Sequence, residues 1–293
     1  MTAVMLSEAA SAQSEDLLPE YLIQIPASVA TVLVAEAETS TLHRYGHGEN
    51  GFDGHDTRYM SVGQNGVGKL KAWDRRTPLG IYFVIDKLDT SGLHERYGPV
   101  AFPLDYPNAW DRNNKRSGDG IWIHGVTANS ERRPPLDTDG CIALPNDELL
   151  VLGELLRPTI TPVVIARRIA WLSRSELDTI REELNVALDI WADSFRSGDL
   201  HRYLSLYAKD FEFLGMDKSD WVAYRVQAIA SRPIEGFSIG EVLLLSDPEE
   251  DGLYLSRFKQ TMVDGGRSIT TTKRLYWKRY ADGSLKIVAE DNG

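Results

Sequence analysis

Apolar and polar positions are patterned differently in the two halves of the chain. In the first half, short β-branched or apolar runs stand between Gly and Pro turns, which is typical of strands. The predicted strands are residues 29–35, with 41–45 as a hairpin partner, then 59–62, 80–86, 121–124 and 162–166. A short helix is predicted at 147–156, and the Gly- and His-rich residues 46–56 are predicted to form a loop. The pattern through residue 168 therefore predicts a β-rich domain with few helices.

The second half begins with a long amphipathic pattern. Ser173 and Glu176 form a capping box, apolar residues recur at helical spacing as far as Phe195, and Gly198 suits a helix C-terminus. Two shorter helices are predicted around residues 200–207 and 221–229. Four long alternating segments follow, at residues 237–245, 253–263, 268–280 and 285–290. Helices followed by a meander predict an α+β cone, a long helix wrapped by a curved antiparallel sheet.

These patterns predict two domains, as does a length of 293 residues at roughly 150 residues per domain. Residues 1–27 are polar and acidic and are predicted to be a flexible tail, followed by domains at 28–168 and 173–293. Ala10-Ser11-Ala12 resembles a signal-peptidase site, but little apolar sequence precedes it. It is therefore either part of an ordinary flexible terminus or the end of an incomplete export signal.

Composition narrows the possible partners. The chain is 42% apolar and 26% charged, as in ordinary globular proteins. A net charge of -11 argues against a nucleic-acid partner, because phosphate binding needs clustered Lys and Arg. No stretch reaches the roughly 18 apolar residues of a membrane span. A single cysteine excludes an intrachain disulfide and leaves one thiol available for chemistry.

The candidate chemistry lies between His124 and Cys141. His124 ends an apolar strand, and a 16-residue polar loop can fold back to place its imidazole beside the thiol of Cys141. A thiol nucleophile needs such a base. The amides of Asp139, Gly140 and Cys141 can supply oxyanion donors, and the carbonyl of Gly125 can orient the imidazole. The residues alone leave open a buried core cysteine with a structural histidine.

Two stretches of sequence closely resemble the signature of the L,D-transpeptidase (YkuD-type) family. The run from Gly120 to Pro145 contains IHG and TDGCIAL, with 16 residues between the His and the Cys. Upstream, Ser61–Gly63, Gly68-Lys69 and Asp74–Tyr82 resemble the family's S-x-G, G-K and D-x-x-T-P-x-G-x-Y elements. The resemblance covers about residues 28–168.

The resemblance implies a peptidoglycan enzyme in the periplasm or cell envelope, without cofactor or metal. It makes Cys141 the nucleophile, His124 the base and the Gly125 carbonyl the orienting group. The substrate is then the stem peptide, attacked at the bond between an L-centre and a D-centre after diaminopimelate. Carbapenem-type inhibitors are expected to acylate the same thiol.

Two departures from the family pattern bear on the reaction. Asp139 precedes Gly140, and Ala143 stands where many crosslinking relatives place Arg. This form is similar to a branch that includes L,D-carboxypeptidases of helical bacteria, so trimming of tetrapeptide to tripeptide is predicted. The alternatives are an L,D-transpeptidase that forms 3-3 crosslinks or attaches or releases a wall-linked protein, and a non-catalytic peptidoglycan-binding module.

The C-terminal half resembles a nuclear transport factor-like (SnoaL-like) cone, which members of that branch carry. Its large aromatics either line a ligand pocket or fill the core of the cone, and the core is favoured. They are Trp191, Tyr203, Tyr207 and Trp221.

Four further residues are candidates for substrate binding. Tyr106, Trp110 and Arg112 are predicted to wall the cleft, with a structural role as the alternative. Arg132 belongs to the run Arg132-Arg133-Pro134-Pro135, which is predicted to shape the lid between base and nucleophile. A solvated loop, rather than a metal site, is predicted for His47, Asp53, His55 and Asp56, because their spacing fits no common metal template.

Overall fold

The computed structural model of the chain describes residues 17–48, 51–127, 132–230 and 236–293. The Ala10–Ala12 segment lies outside these residues. The first half contains β1 (Leu17–Pro19), β2 (Leu22–Gln24), β3 (Thr31–Glu36), β4 (Thr41–Gly48), β5 (Gly51–Tyr59), β6 (Val62–Gly63), β7 (Gly80–Phe83), β8 (Leu88–Asp89), a 3-10 turn (Glu95–Tyr97), β9 (Val100–Pro103), α1 (Ala109–Asn113), β10 (Trp122–His124), β11 (Leu136–Thr138), β12 (Ile142–Ala143), α2 (Asn146–Gly153) and β13 (Pro162–Ala166).

The second half contains β14 (Trp171–Ser173), α3 (Arg174–Ser197), α4 (Leu200–Ser205), β15 (Glu212–Phe213), β16 (Met216–Asp217), α5 (Lys218–Ala230), β17 (Gly236–Ser246), β18 (Leu253–Asp264), β19 (Arg267–Arg279) and β20 (Leu285–Asp291). No helix in the part of the chain that the structure describes is long and apolar enough to cross a membrane.

Two sheets and α2 form the first domain. One sheet has the strand order β5-β4-β3-β13-β7, and the other has the order β12-β10-β9-β8. Between them lies a continuous apolar core, to which Leu33, Phe102, Ile123, Leu152 and Val163 contribute fully buried side chains. The predicted β-rich domain with few helices is confirmed.

The second domain is the predicted cone. Strands β2, β17, β18, β19 and β20 form one antiparallel sheet against which α3 packs. The predicted capping box is present, since the Glu176 amide donates to Ser173 Oγ and the Ser173 amide to the Glu176 carboxylate. Gly198 ends α3 in a left-handed conformation, with φ 72°. The four aromatics predicted to fill the cone, Trp191, Tyr203, Tyr207 and Trp221, are all buried in its core.

The two domains share an interface of buried apolar side chains. Val34, Phe83 and Val164 of the first domain belong to the same cluster as Leu245 and Tyr276 of the second. Ion pairs lie at its edge: Arg274 of β19 contacts Asp105 of the first domain and also Asp291. The domains are therefore held together by a shared core as well as by charges.

The predicted N-terminal tail is wrong for residues 17–27. Strand β1 pairs with β14, and β2 pairs with β17 of the cone. Tyr21, Leu22 and Ile23 are buried, and the Tyr21 hydroxyl donates to the carbonyl of Arg168 at 2.8 Å. The local composition is polar, but these apolar side chains find their partners far along the chain. The predicted domain boundary at 168–175 spans β14.

The predicted loop at 46–56 is also wrong. Strands β4 and β5 pair antiparallel, with Tyr45 opposite His55 and Gly46 opposite Gly54. The rings of His43, Tyr45 and His55 stack along one face of this hairpin. Cross-strand ring stacking stabilises a segment whose Gly content is otherwise typical of a loop.

Candidate active site

His124 and Cys141 lie on neighbouring parallel strands. Strand β10 ends at His124, Cys141 directly precedes β12, and the register pairs Ile123 with Ile142 and His124 with Ala143. Paired residues of parallel strands point to the same side and side chains alternate along each strand, so His124 and Cys141 face the same side. Both line one cleft of about 250 Å³, together with Gln64, Arg96, Tyr97, Arg133, Asp137, Thr138 and Asp139.

The His124 ring is held in one tautomer. Its Nδ1 lies 2.6 Å from the carbonyl oxygen of Gly125. A carbonyl can only accept, so Nδ1 carries the proton and Nε2 is left as an acceptor. Burial lowers the pKa of His124 to about 4 despite the bond to Gly125, and Arg133 and Arg96 lower it further. The imidazole is therefore neutral around pH 7, and its Nε2 can accept a proton.

Asn146, at the start of α2, holds the backbone that carries this carbonyl. Its Oδ1 accepts from the Val126 amide at 2.8 Å, and its Nδ2 donates to the Val126 carbonyl at 2.9 Å. The Gly125 amide donates to the carbonyl of Tyr97 at 2.9 Å. A Cβ at position 125 would lie 2.2 Å from Asn146 Oδ1, so this packing requires glycine. Nothing in the local sequence relates Asn146 to His124, so its contact with this backbone was not predicted.

The turn before Cys141 is built by Thr138 and Gly140. Thr138 Oγ1 donates to the Cys141 carbonyl at 2.7 Å and accepts from the Gly140 amide at 3.1 Å. Gly140 has φ 129°, and a Cβ there would lie 2.8 Å from the carbonyl oxygen of Arg76. Glycine is therefore required at this position on both conformational and steric grounds.

The predicted oxyanion donors need one correction. The amide of Gly140 donates to Thr138 Oγ1 at 3.1 Å and is therefore already engaged within the turn. The Thr138 hydroxyl inside the turn therefore accepts the hydrogen bond of an amide that was predicted from the sequence to bind the oxyanion. The amides of Asp139 and Cys141 remain the proposed donors.

Cys141 is a protonated thiol in this environment. Its Sγ donates to the carbonyl of Gly120 at 3.3 Å. Burial raises the pKa of Cys141 to about 11, and the Asp139 carboxylate adds to this, whereas the Trp122 backbone, Arg96 and Lys69 act in the opposite direction. A thiol with so high a pKa needs a base at the moment of attack.

Cations surround the cleft. Arg96 and Arg133 both line it, and the Asp139 carboxylate lies between Arg96 at 3.5 Å and Arg75 at 3.9 Å. Arg133 Nε lies 3.7 Å from Asp137. Guanidinium groups bind carboxylates well, so the cleft can hold an anionic peptide end. Neither Arg96 nor Arg133 was among the residues predicted from the sequence to bind substrate.

Comparison with known proteins identifies two domain families in the chain. Residues 32–165 match the model of the L,D-transpeptidase catalytic domain family YkuD, and residues 183–291 match that of the Cds6 C-terminal NTF2-like domain. Residues 32–165 are therefore a YkuD-type domain, and residues 183–291 are an NTF2-like domain. A comparison with curated protein sequences gave no match.

Two solved structures share both domains of this chain. Bd1075 of Bdellovibrio bacteriovorus aligns with a TM-score of 0.76 at 22% identity, over 95% of this chain and 98% of its own. The helical cell shape determining protein Pgp2 of Campylobacter jejuni aligns with a TM-score of 0.72 at 22% identity, over 92% of this chain and 96% of its own. This likeness shows a common two-domain fold.

The predicted substrate-binding residues do not line the cleft of this YkuD domain. Tyr106 is buried, and its hydroxyl donates to the carbonyl of Ser117 at 3.1 Å. Trp110 packs against the core shared by the two domains. Arg112 donates to the Pro107 carbonyl at 2.6 Å and lies 3.8 Å from Asp291 of the cone. Trp110 and Arg112 belong to the domain interface and Tyr106 to the core of the first domain, which sequence proximity to the signature could not reveal.

Arg132 belongs to a neighbouring pocket. Its guanidinium lies 4.0 Å from the centre of the Tyr59 ring, in a pocket of about 730 Å³ beside the β4–β5 hairpin. The Tyr59 hydroxyl donates to the carbonyl of Arg133 at 2.6 Å, so Arg132 supports the cleft wall from behind.

The His- and Asp-rich residues lie on that hairpin, away from Cys141. The Asp56 carboxylate pairs with Arg44 and Arg58, and His55 Nε2 lies 3.1 Å from His43 Nδ1. The side chain of Asp53 lies outside the described residues. His55 and Asp56 therefore point to different partners.

Proposed function

We propose that the chain is a peptidoglycan L,D-carboxypeptidase that trims stem tetrapeptides to tripeptides. The observation that carries the proposal is the placement of His124 and Cys141 on one cleft wall, with Nδ1 of His124 bound to Gly125 and Nε2 left to accept a proton. The arginines of the cleft suit a substrate that ends in a carboxylate.

The first half-reaction forms a thioester. His124 Nε2 takes the thiol proton as Sγ of Cys141 attacks the carbonyl carbon at the L-centre of diaminopimelate, and the amides of Asp139 and Cys141 stabilise the oxyanion. The C–N bond then breaks, the imidazolium returns its proton to the nitrogen, and D-alanine leaves.

The second half-reaction releases the tripeptide. His124 takes a proton from water, whose oxygen attacks the thioester carbonyl. The C–S bond breaks, the thiolate leaves, and the imidazolium proton returns to Sγ, which restores the starting enzyme.

Two features favour water over an amine as acceptor. Ala143 is buried and exchanges two backbone hydrogen bonds with Ser61, at 2.9 and 3.0 Å, so this position presents no cation to an acceptor strand. The cleft volume of about 250 Å³ is below the roughly 300–1,000 Å³ usual for ligand sites, so one peptide end fits better than donor and acceptor together. Transpeptidation is the alternative, with Arg96 or Arg133 holding the acceptor carboxylate.

The proposed substrate implies a place of action and a cellular role. Peptidoglycan lies outside the cytoplasm, so we place the protein in the periplasm or cell envelope. By analogy with the helical cell shape determining protein Pgp2, trimming of stem peptides would act on cell shape.

The test is incubation with purified disaccharide tetrapeptide and mass spectrometry of the products. The expected products are disaccharide tripeptide and free D-alanine, with none from Cys141→Ala. A dimer as main product would support the transpeptidase, and no product despite binding would support a non-catalytic module. Carbapenem is expected to add one adduct to the wild type and none to Cys141→Ala in intact mass spectrometry.

A further inference from the structure

The loop formed by residues 69–76 exposes two large apolar side chains. Trp73 is 94% exposed and Leu70 is 63% exposed. An indole carries a large apolar surface that folded proteins usually cover at least in part. Neither side chain contributes to the three apolar cores of the described residues.

The loop that presents Trp73 is tightly held. The Asp74 carboxylate accepts from the amides of Leu70, Lys71 and Arg76, at 2.8, 3.1 and 3.1 Å. It also accepts from Nζ of the buried Lys69 at 2.8 Å. Trp73 is thus exposed on a fixed support.

The backbone of this loop is strained. Trp73 and Arg75 both have positive φ, 64° and 55°, which residues other than glycine rarely adopt. Such conformations persist where the surrounding structure enforces them, and they cluster at functional sites. The hydrogen bonds of Asp74 supply that enforcement here.

The loop is joined to the catalytic cleft. Arg75 Nη1 donates to Gln64 Oε1 at 3.0 Å, and Arg75 Nε lies 3.9 Å from the Asp139 carboxylate. Gln64 and Asp139 both line the cleft of Cys141. Trp73 is two residues from Arg75, and Cys141 is two residues from Asp139, so the loop that carries Trp73 borders the cleft that contains Cys141.

We infer that Trp73 is a stacking platform for a sugar ring of the peptidoglycan glycan strand, placed to hold the sugar while Cys141 acts on the attached peptide. A pyranose ring presents a face of C–H groups that packs on the flat face of an indole. The stem peptide joins the sugar to the bond that Cys141 attacks, so a sugar held beside the cleft keeps that bond near the thiol. The inference rests on the proposed function.

A membrane surface is the competing occupant, since Trp, Leu and Lys are common at membrane interfaces. The observations favour the glycan. The loop offers only one Trp and one Leu, it is rigid, and it is bonded to residues of the cleft rather than projecting away from it. A preorganised aromatic also loses little conformational freedom on binding.

The kinetic test compares disaccharide tetrapeptide with the free tetrapeptide. Trp73→Ala should lower kcat/KM on the disaccharide substrate by about tenfold, as expected for the loss of one aromatic stacking contact, and leave the free peptide unchanged. Trp73→Phe should restore most of the loss. The matched control is Trp171→Ala, an indole that is 46% exposed on β14 of the other domain, which should behave as wild type. An equal loss on both substrates, or no loss, overturns the inference.

A binding test is independent of turnover. In the Cys141→Ala protein, titration with glycan strands freed of peptide should show binding that is weakened by adding Trp73→Ala. Failure to bind these strands overturns the inference even if the enzyme trims peptides. Absence of turnover in the wild type, with glycan binding retained, would instead overturn the proposed reaction. Loss of binding to anionic lipid vesicles on Trp73→Ala, with glycan binding unchanged, would assign the loop to a membrane.

Discussion

Replacing Asn146 by Ala should impair both stability and catalysis. The change removes two hydrogen bonds, of 2.8 and 2.9 Å, and leaves the amide and carbonyl of Val126, which is 1% exposed, without these partners. Each buried group left unsatisfied costs about 1–3 kcal/mol, so a total of about 2–6 kcal/mol is expected for the two groups. For a chain of this size that corresponds to a fall in Tm on the order of 5–10 °C.

The catalytic effect follows from the position of Gly125. When the Val126 backbone is released, the Gly125 carbonyl no longer holds Nδ1 of His124 at 2.6 Å, and Nε2 loses its alignment. General-base catalysis contributes about 10²–10⁴-fold, so partial misalignment should lower kcat by roughly 10- to 100-fold with little change in KM.

The assay is D-alanine release at several substrate concentrations, alongside thermal unfolding. Asn146→Asp keeps an acceptor for the Val126 amide but loses the donor, and should fall between wild type and Asn146→Ala. Asp147→Ala changes the exposed neighbouring residue and should remain close to wild type. A lowered Tm with unchanged kcat would show that Asn146 stabilises the loop without positioning the base, and that result would refute the reasoning.

Further predictions concern the base, the thiol, the turn and the interface. Because the folded pKa of His124 is about 4, below its ordinary 6.5, kcat/KM should stay level as pH falls from 7 to about 5; an acid limb at 6.5 would contradict this. The lowered pKa also makes the stability of the fold depend on pH. The free energy of unfolding should be highest above pH 6.5 and should fall by up to about 3 kcal/mol by pH 4, measurable by urea unfolding. Iodoacetamide should alkylate Cys141 at pH 7 more slowly than free cysteine, because its pKa is raised; faster alkylation in peptide mapping would reveal a thiolate. Gly140→Ala should lower kcat more than Gly120→Ala, because only the former places a Cβ against the Arg76 backbone; equal activities would refute the turn's role. A fragment that ends at Arg168 should aggregate in gel filtration, because it exposes the shared core; a monodisperse active fragment would show that the interface is dispensable.

Local patterns predicted the elements that are formed by local interactions. The capping box at Ser173, the end of α3 at Gly198 and the four strands of the meander depend on neighbouring residues, and the structure has them where the pattern placed them. The strand at 29–35 and its partner at 41–45 are likewise confirmed as β3 and β4. His124 and Cys141 could be predicted as a pair because both lie within one contiguous stretch of the family signature, from Gly120 to Pro145.

Features that depend on distant contacts were missed. Leu22 and Ile23 look unremarkable in an acidic segment, because their burial requires a strand more than 200 residues away. Arg96 reaches the cleft from the 3-10 turn, whereas Trp110 and Arg112, nearer in sequence to the Gly120–Pro145 run, face the other domain. Spacing along the chain does not encode which side of a domain a loop will face.

The pairing of β2 with β17 has a consequence for the order in which the chain folds during synthesis. Roughly 200 residues separate the two strands, so at about 5–20 residues per second β2 emerges from the ribosome about 10–40 s before its partner. The catalytic domain is synthesised in that interval, whereas β2 has no strand to pair with until β17 is made. Completion of the cone therefore requires that the chain has been translated through β20. A product that stops short of β17 keeps an unpaired strand, which proteases and chaperones recognise.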